Sequence, residues 1–126
     1  MHATTPVIAI VDDDGSVRRA LRRLVLSMSY QPTDFASGEE FLQSVRESAP
    51  QCVILDLHMP GLSGLDVLNR LRLSDEAVPA IIVTANSQPE LRAECLAAGA
   101  AAFLQKPLDG QVLSETIAAA LAGSGN

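Results

Sequence analysis

The sequence predicts an α/β protein built on a parallel sheet with helices on both faces, and three observations predict it. Five short apolar segments alternate with five segments of helical period. The inner apolar segments are apolar at every position, as in strands covered on both faces. Capping and turn residues stand at the joints between segments.

Val7 to Val11 reads as the first strand, ended by Asp12-Asp13-Asp14-Gly15. Val17, Ala20, Leu21, Leu24, Val25 and Met28 recur at helical spacing, with Arg18, Arg19, Arg22 and Arg23 read as a solvated opposite face. Pro32 to Phe35 reads as a short strand, and its proline and polar content mark it as an edge. Ser37-Gly38-Glu39-Glu40 has the pattern of a capping box for a helix carrying Phe41, Leu42 and Val45. Val53 to Leu55 is the third strand. Ser63 with Asp66 caps a helix bearing Leu65, Leu68 and Leu71. Ala80 to Val83 is the fourth strand, ending at Thr84. Ser87 with Glu90 reads as another capping box, for a helix through Leu91, Cys95 and Ala98 that stops at Gly99. Ala101 to Gln105 is a short fifth strand before Lys106-Pro107. A last helix begins at Asp109 and carries Val112, Leu113, Ile117 and Leu121. Residues 1–122 read as one domain, and residues 123–126, Gly-Ser-Gly-Asn, as a flexible tail or the start of a linker. Right-handed crossovers and a weak second strand at the edge fit the order 2-1-3-4-5, the flavodoxin-like (βα)5 doubly wound sandwich.

Composition narrows the function classes. The 126 residues are 48% hydrophobic and 19% charged, the balance of a globular chain of one domain. Aromatics at 3% with no Trp argue against a base-stacking surface, and a net charge of -6 against a phosphate-backbone partner. No direct nucleic-acid partner is expected. No apolar run approaches a membrane span and the N-terminus shows no signal-peptide core, so the chain reads as cytoplasmic, without a membrane partner. Cys52 and Cys95 read as small buried hydrophobes, not a disulfide or a metal site.

In a sheet of this order, ligands bind outside the carboxyl ends of the strands, where the order reverses. The residues there are Asp12 and Asp13, Asp56, Thr84 and Lys106, the last being the only lysine. Each has an ordinary reading: Asp12, Asp13 and Asp14 as helix caps, Asp56 as a turn former, Thr84 as a strand residue, Lys106 as a surface charge. The clustered aspartates repel one another unless a cation intervenes. Clustered hard oxygen ligands suit Mg²⁺, and the lysine adds a second positive charge toward whatever anion the metal recruits. A phosphoryl site follows, with Asp56 as the candidate nucleophile for a covalent aspartyl phosphate. Other phosphate chemistry lacks its motifs: there is no Walker loop and no G-x-G-x-x-G. Gly61-Leu62-Ser63-Gly64 lacks the nucleophile-elbow spacing. His2 lies near the terminus, and His58 alone makes no triad.

Four stretches, "IVDDD" (10–14), "ILDLHMPGLSG" (54–64), "VTA" (83–85) and "FLQKP" (103–107), closely resemble the receiver domains of bacterial two-component response regulators, in the family's order and spacing. The resemblance runs from about Val7 to Leu121. It implies that Asp56 accepts a phosphoryl group from the phosphohistidine of a sensor histidine kinase or phosphotransfer protein. Asp12 and Asp13 would form the acidic pocket, with Asp13, Asp56 and the backbone carbonyl of His58 as the Mg²⁺ ligands. Lys106 and Thr84 would bind the phosphoryl oxygens, with a cis bond before Pro107. Phe103 would be the switch aromatic, turning inward behind Thr84. His58 and Asn86 would tune the lifetime of the phosphoryl group. The implied role is a phosphoacceptor signalling domain, not an enzyme with a separate substrate, though it assists its own phosphotransfer and dephosphorylation. Its readout surface would be the fourth helix, fifth strand and fifth helix, where a homodimer, an output domain or an effector protein would dock. The alanine-rich run Ala118 to Ala120 lies there, and the arginine-bearing first helix would face the kinase.

Leu108 departs from the common pattern, standing where a surface Phe often follows Lys-Pro. "SGEEFL" and "MPGLSG" look most like nitrogen-fixation (FixJ-type) regulators, whose receivers precede a helix-turn-helix domain. A single-domain regulator and the receiver of a longer protein both remain open. Two other classes share parts of the pattern. A flavin-binding carrier shares the fold, but its first loop should be rich in Ser, Thr and Gly, not Asp-Asp-Asp. A phosphatase with an aspartyl-phosphate intermediate shares the chemistry, with Asp12 and Asp14 mimicking its usual pair, but a cap domain for substrate selection is not evident.

Overall fold

A computed structural model describes residues 5–86 and 88–124. In chain order the elements are β1 (Val7–Val11), α1 (Gly15–Ser27), β2 (Gln31–Phe35), α2 (Gly38–Ser48), β3 (Cys52–Asp56), α3 (Gly64–Leu73), β4 (Ala80–Thr84), α4 (Pro89–Ala97), β5 (Ala102–Gln105) and α5 (Gly110–Ser124). All strand pairs are parallel and the order is β2-β1-β3-β4-β5. The expected architecture and order are both found. The fully apolar segments β3 and β4 are buried at every position, whereas β2 and β5 are edges with exposed residues.

Alternate residues of each inner strand feed two separate cores, as the period of two requires. Ala9, Val11, Val53, Leu55, Ala80 and Ile82 pack with Phe41, Val67, Leu71 and Cys95 under α2, α3 and α4. Ile8, Ile10, Cys52, Ile54, Ile81 and Val83 pack with Leu21, Val25, Leu113 and Ile117 under α1 and α5. Each fully buried Val, Leu or Ile side chain among them contributes about 1.5–3 kcal/mol. Both cysteines are free and buried, one in each core, as expected from the sequence.

The helix starts show where local sequence dominates and where it does not. Asp14 caps α1 through the Ser16 amide, and Asp109 accepts from the amides of Gln111 and Val112 to open α5. Ser63 and Asp66 form a complete capping box on α3. At α2 the Ser37 half of the box is made, while the Glu40 carboxylate lies against the Ser37 hydroxyl at 3.5 Å. At α4 the cap is Gln88, without a side-chain bond, and Pro89 opens the helix with its missing N–H and preset φ. The expected Ser87 box falls on a residue outside those described. Gly99, at φ +102°, lies just past the end of α4 where the sequence stops it. Helix α5 continues through Gly123 to Ser124, past the expected boundary, since one helical glycine costs only about 1 kcal/mol. Leu108, expected as a surface hydrophobe, is half-buried against the α1/α5 core.

Candidate functional site

The three consecutive aspartates divide by role. Asp14 takes the ordinary one, capping α1, and bonds from Ser16 hold its carboxyl below the usual range. Asp12 follows the last residue of β1 and turns inward, 1% exposed. Its Oδ1 accepts from the Asp14 amide at 2.9 Å, and its own N–H donates to the Phe35 carbonyl at 3.2 Å. Asp13 stays exposed at the rim.

Asp56 ends β3 and is 7% exposed. The turn after it is tight: the Gly64 amide donates to the Leu57 carbonyl, and a Cβ on Gly64 would lie 2.6 Å from the Asp56 carbonyl oxygen. Only glycine permits that approach. One carboxylate oxygen from each of Asp12, Asp13 and Asp56 lies within 4.8 Å of the others.

Lys106 reaches into this cluster from the end of β5. Its Nζ lies 3.0 Å from Asp12 Oδ2 and 3.4 Å from Asp56 Oδ1. Its backbone N–H donates to the Thr84 carbonyl at 2.8 Å, and the Lys106–Pro107 bond is cis. Burial first, then the Asp12 charge, push the Asp56 pKa up, with Lys106 opposing. Burial works against the Lys106 ammonium, but its bond to Asp12 and the charges of Asp56 and Asp12 outweigh it, leaving its pKa raised. Three carboxylates face this one ammonium, so the rim retains an excess of negative charge. A hard cation with a preference for oxygen ligands fits that donor set.

Thr84 ends β4, fully buried, and its hydroxyl is engaged within its own loop: it donates to the Asn86 carbonyl and accepts from the Asn86 amide, both at 3.1 Å. Phe103 on β5 is 6% exposed and already points into the α2/α3/α4 core, with the Arg92 guanidinium 6.0 Å from its ring centroid. His58 and Asn86 are exposed on the loops flanking the cluster. The structure thus brings Asp12, Asp13, Asp56 and Lys106 together, with Thr84 and Phe103 on the adjoining strands. A cavity of about 720 Å³ opens at the other end of β4 and β5, between Leu71, Val78, Ala98 and Ala119, and contains none of these residues.

Sequence periodicity missed the partners of two α1 arginines, while Arg19 and Arg23 are exposed as expected. Arg18 and Arg22 are not a free solvated face; both pair with Asp34 of β2, at 3.3 and 3.2 Å. Arg18 Nη1 also donates to the Asp12 carbonyl at 2.8 Å, which places it directly against the acidic loop. A helical wheel shows only which side of a helix is polar, so a carboxylate on a neighbouring strand is invisible to it.

Comparison with known proteins gives the family and the fold. The response regulator receiver domain family matches residues 8–118. Response regulator protein TodT of Pseudomonas putida is 39% identical over 121 residues, covering 96% of this chain and 53% of TodT. Nodulation protein W of Bradyrhizobium diazoefficiens is 34% identical over 118 residues, covering 94% and 52%. This chain therefore spans about half the length of those curated relatives. Among solved structures, FixJ-N superposes with a TM-score of 0.88 at 28% identity, covering 95% of this chain and 96% of that one. The chemotaxis protein CheY4 of Vibrio cholerae superposes at 0.87 and 25% identity, covering 94% and 100%. No helix among the described residues is long and apolar enough to cross a membrane. With the fold, the acidic rim and the sequence relatives in agreement, the chain belongs to the response regulator receiver domains of two-component signalling systems.

Proposed function

We propose that Asp56 is the phosphoacceptor, taking a phosphoryl group from a phosphohistidine on a sensor histidine kinase or phosphotransfer protein. The observation that carries this reading is the buried Asp56 carboxylate at the end of a central strand, with two further carboxylates within 4.8 Å and Lys106 at 3.4 Å. Mg²⁺ would be held by Asp13, Asp56 and the His58 carbonyl beside Asp12, and when bound it supplies neutralising charge to the phosphoryl oxygens.

In the transfer, an Asp56 oxygen lone pair forms the new P–O bond as the donor's P–N bond breaks, and the electron pair of that bond leaves on the imidazole. Burial and the Asp12 charge make Asp56 a more basic carboxylate than usual, and Lys106 opposes its protonation. The ammonium of Lys106 then shifts from Asp12 toward the phosphoryl oxygens, keeping a charge-assisted bond throughout. Thr84 exchanges its bonds to Asn86 for one donated to the phosphoryl group, drawing its loop inward. Phe103, already turned into the core, leaves behind Thr84 the space its loop moves into, and His58 and Asn86, flanking the acceptor, set access of water and hence the lifetime of the acyl phosphate. The altered surface is α4, β5 and α5, where a homodimer, an output domain or an effector protein docks. Residues 1–122 make up this receiver unit. The protein acts as a signalling phosphoacceptor in the cytoplasm, and its catalysis is confined to its own phosphorylation and dephosphorylation.

The test is intact mass after incubation with Mg²⁺ and acetyl phosphate. One phosphoryl group is expected on the wild-type chain, none with EDTA and none on Asp56→Asn. An adduct that persists on Asp56→Asn overturns the assignment.

A further inference from the structure

Asp12 is held through its backbone as well as its carboxylate. Its N–H donates to the Phe35 carbonyl, and its carbonyl accepts from Arg18 Nη1 at 2.8 Å. That carbonyl belongs to the peptide plane whose nitrogen begins Asp13. The tilt of the plane therefore sets where Asp13 carries its carboxylate relative to Asp12 and Asp56. Arg18 is itself anchored, its Nε 3.3 Å from Asp34 Oδ2 and its side chain 22% exposed. Asp34 lies opposite Ile10 in the β1–β2 register, so the sheet fixes the aim of the guanidinium. The planar fork of arginine lets separate donors address the Asp34 carboxylate and the Asp12 carbonyl at once, which a lysine ammonium on one flexible stem does poorly.

We propose that Arg18 is a positioning residue for the acidic pocket: by holding the Asp12 carbonyl it orients the Asp12–Asp13 peptide so that Asp13 joins Asp56 in binding a divalent cation. The inference rests on the metal-assisted phosphoryl reading above. Charge alone argues the other way. A guanidinium beside the rim repels a divalent cation, so simply removing its charge tightens binding. Positioning and repulsion have opposite signs, and the sign of the change decides between them. Partners that orient metal ligands typically contribute about 10- to 100-fold in affinity.

The experiment is the Mg²⁺ dissociation constant of the whole chain by isothermal titration calorimetry, with the thermal midpoint of each variant as a check on folding. Arg18→Ala is expected to weaken Mg²⁺ binding about tenfold, and Arg18→Lys to recover only part of the loss. Arg22→Ala removes the same charge from the same Asp34 without touching the Asp12 carbonyl, and is expected to leave Mg²⁺ binding unweakened. If Arg18→Ala does not fold, Arg18→Met keeps the bulk of the stem while removing the charge and the donors to the Asp12 carbonyl, and is expected to weaken binding in the same direction. Binding by Arg18→Ala as tight as or tighter than wild type overturns the proposal, as does equal weakening in Arg22→Ala. Failure of the wild-type chain itself to bind Mg²⁺ overturns the metal reading, a result distinct from binding that is insensitive to Arg18.

Discussion

The two halves of the rim are held in different ways. On the acidic side, Asp12 is tied through its amide, its carbonyl and both carboxylate oxygens, and Gly64 closes the turn against the Asp56 carbonyl. On the other side, the Thr84 hydroxyl bonds to Asn86 in its own loop, and α4 follows a cap residue without a side-chain bond. Helix α4 fully buries Cys95 alone, whereas α3 buries Gly64, Val67, Leu68 and Leu71. The contacts of Arg92 with Phe103 are long, 3.5 Å to its carbonyl and 6.0 Å to its ring. If Asp56 receives phosphate as proposed, the acceptor lies in the closely tied half and the responding segment in the lightly tied one, where a few charge-assisted bonds suffice for movement.

The largest expected effect comes from Lys106→Met, which takes the one ammonium from between Asp12 and Asp56. Two buried carboxylates are then left uncompensated, and urea denaturation at pH 8 should show a loss of about 3 kcal/mol. Phosphoryl uptake should slow by about 100-fold. Unchanged stability would break the view of the acidic half as one electrostatic unit.

Asp56→Asn should act in the opposite direction. Burial and the Asp12 charge raise the Asp56 pKa, so the folded state binds this proton more tightly than the unfolded chain. The ionised group therefore penalises folding above its folded pKa, and the penalty fades as pH falls through that value toward the ordinary 3.8. At pH 8 the variant should be more stable than wild type, with the gap closing in acid. Lys106, also raised, contributes in full below its ordinary 10.5 and adds no slope across the neutral and acid range. A gap that widens on acidification would contradict the assignment.

Smaller effects sharpen the contrast. Thr84→Ala removes two loop bonds and should cost about 1 kcal/mol, with faster amide exchange over residues 88–97 and little change in the acidic loop. Arg46→Ala, which breaks an exposed pair with Glu76 remote from the rim, should change stability by less than about 0.5 kcal/mol. A larger loss there would mean that surface pairs, and not the rim, dominate the electrostatics.

Much of this was legible in the sequence, and the reasons are physical. Continuous apolar runs such as Ala80 to Val83 mark strands buried on both faces, and the side-chain caps at Ser63 and Asp109 mark helix starts. The gathering of Asp12, Asp13, Asp56 and Lys106 follows from topology once the strand order is known. Local pattern failed where a partner lies on another element. Arg18 looks solvated on its own helix, but it meets Asp34 and the Asp12 carbonyl only in the folded sheet. Leu108 looks like a surface residue until the α1/α5 core covers it. The start of α4 at Pro89 rests on backbone geometry rather than a side-chain bond, which a pattern of capping side chains does not reveal.

The most direct test of the contrast between the two halves is peptide-resolved hydrogen exchange, with and without excess acetyl phosphate and Mg²⁺ to keep the acceptor charged. The account predicts that protection changes across residues 84–105 while residues 8–11 and 52–55 stay as they were. A change concentrated in β1 and β3, with residues 84–105 unaltered, would contradict it.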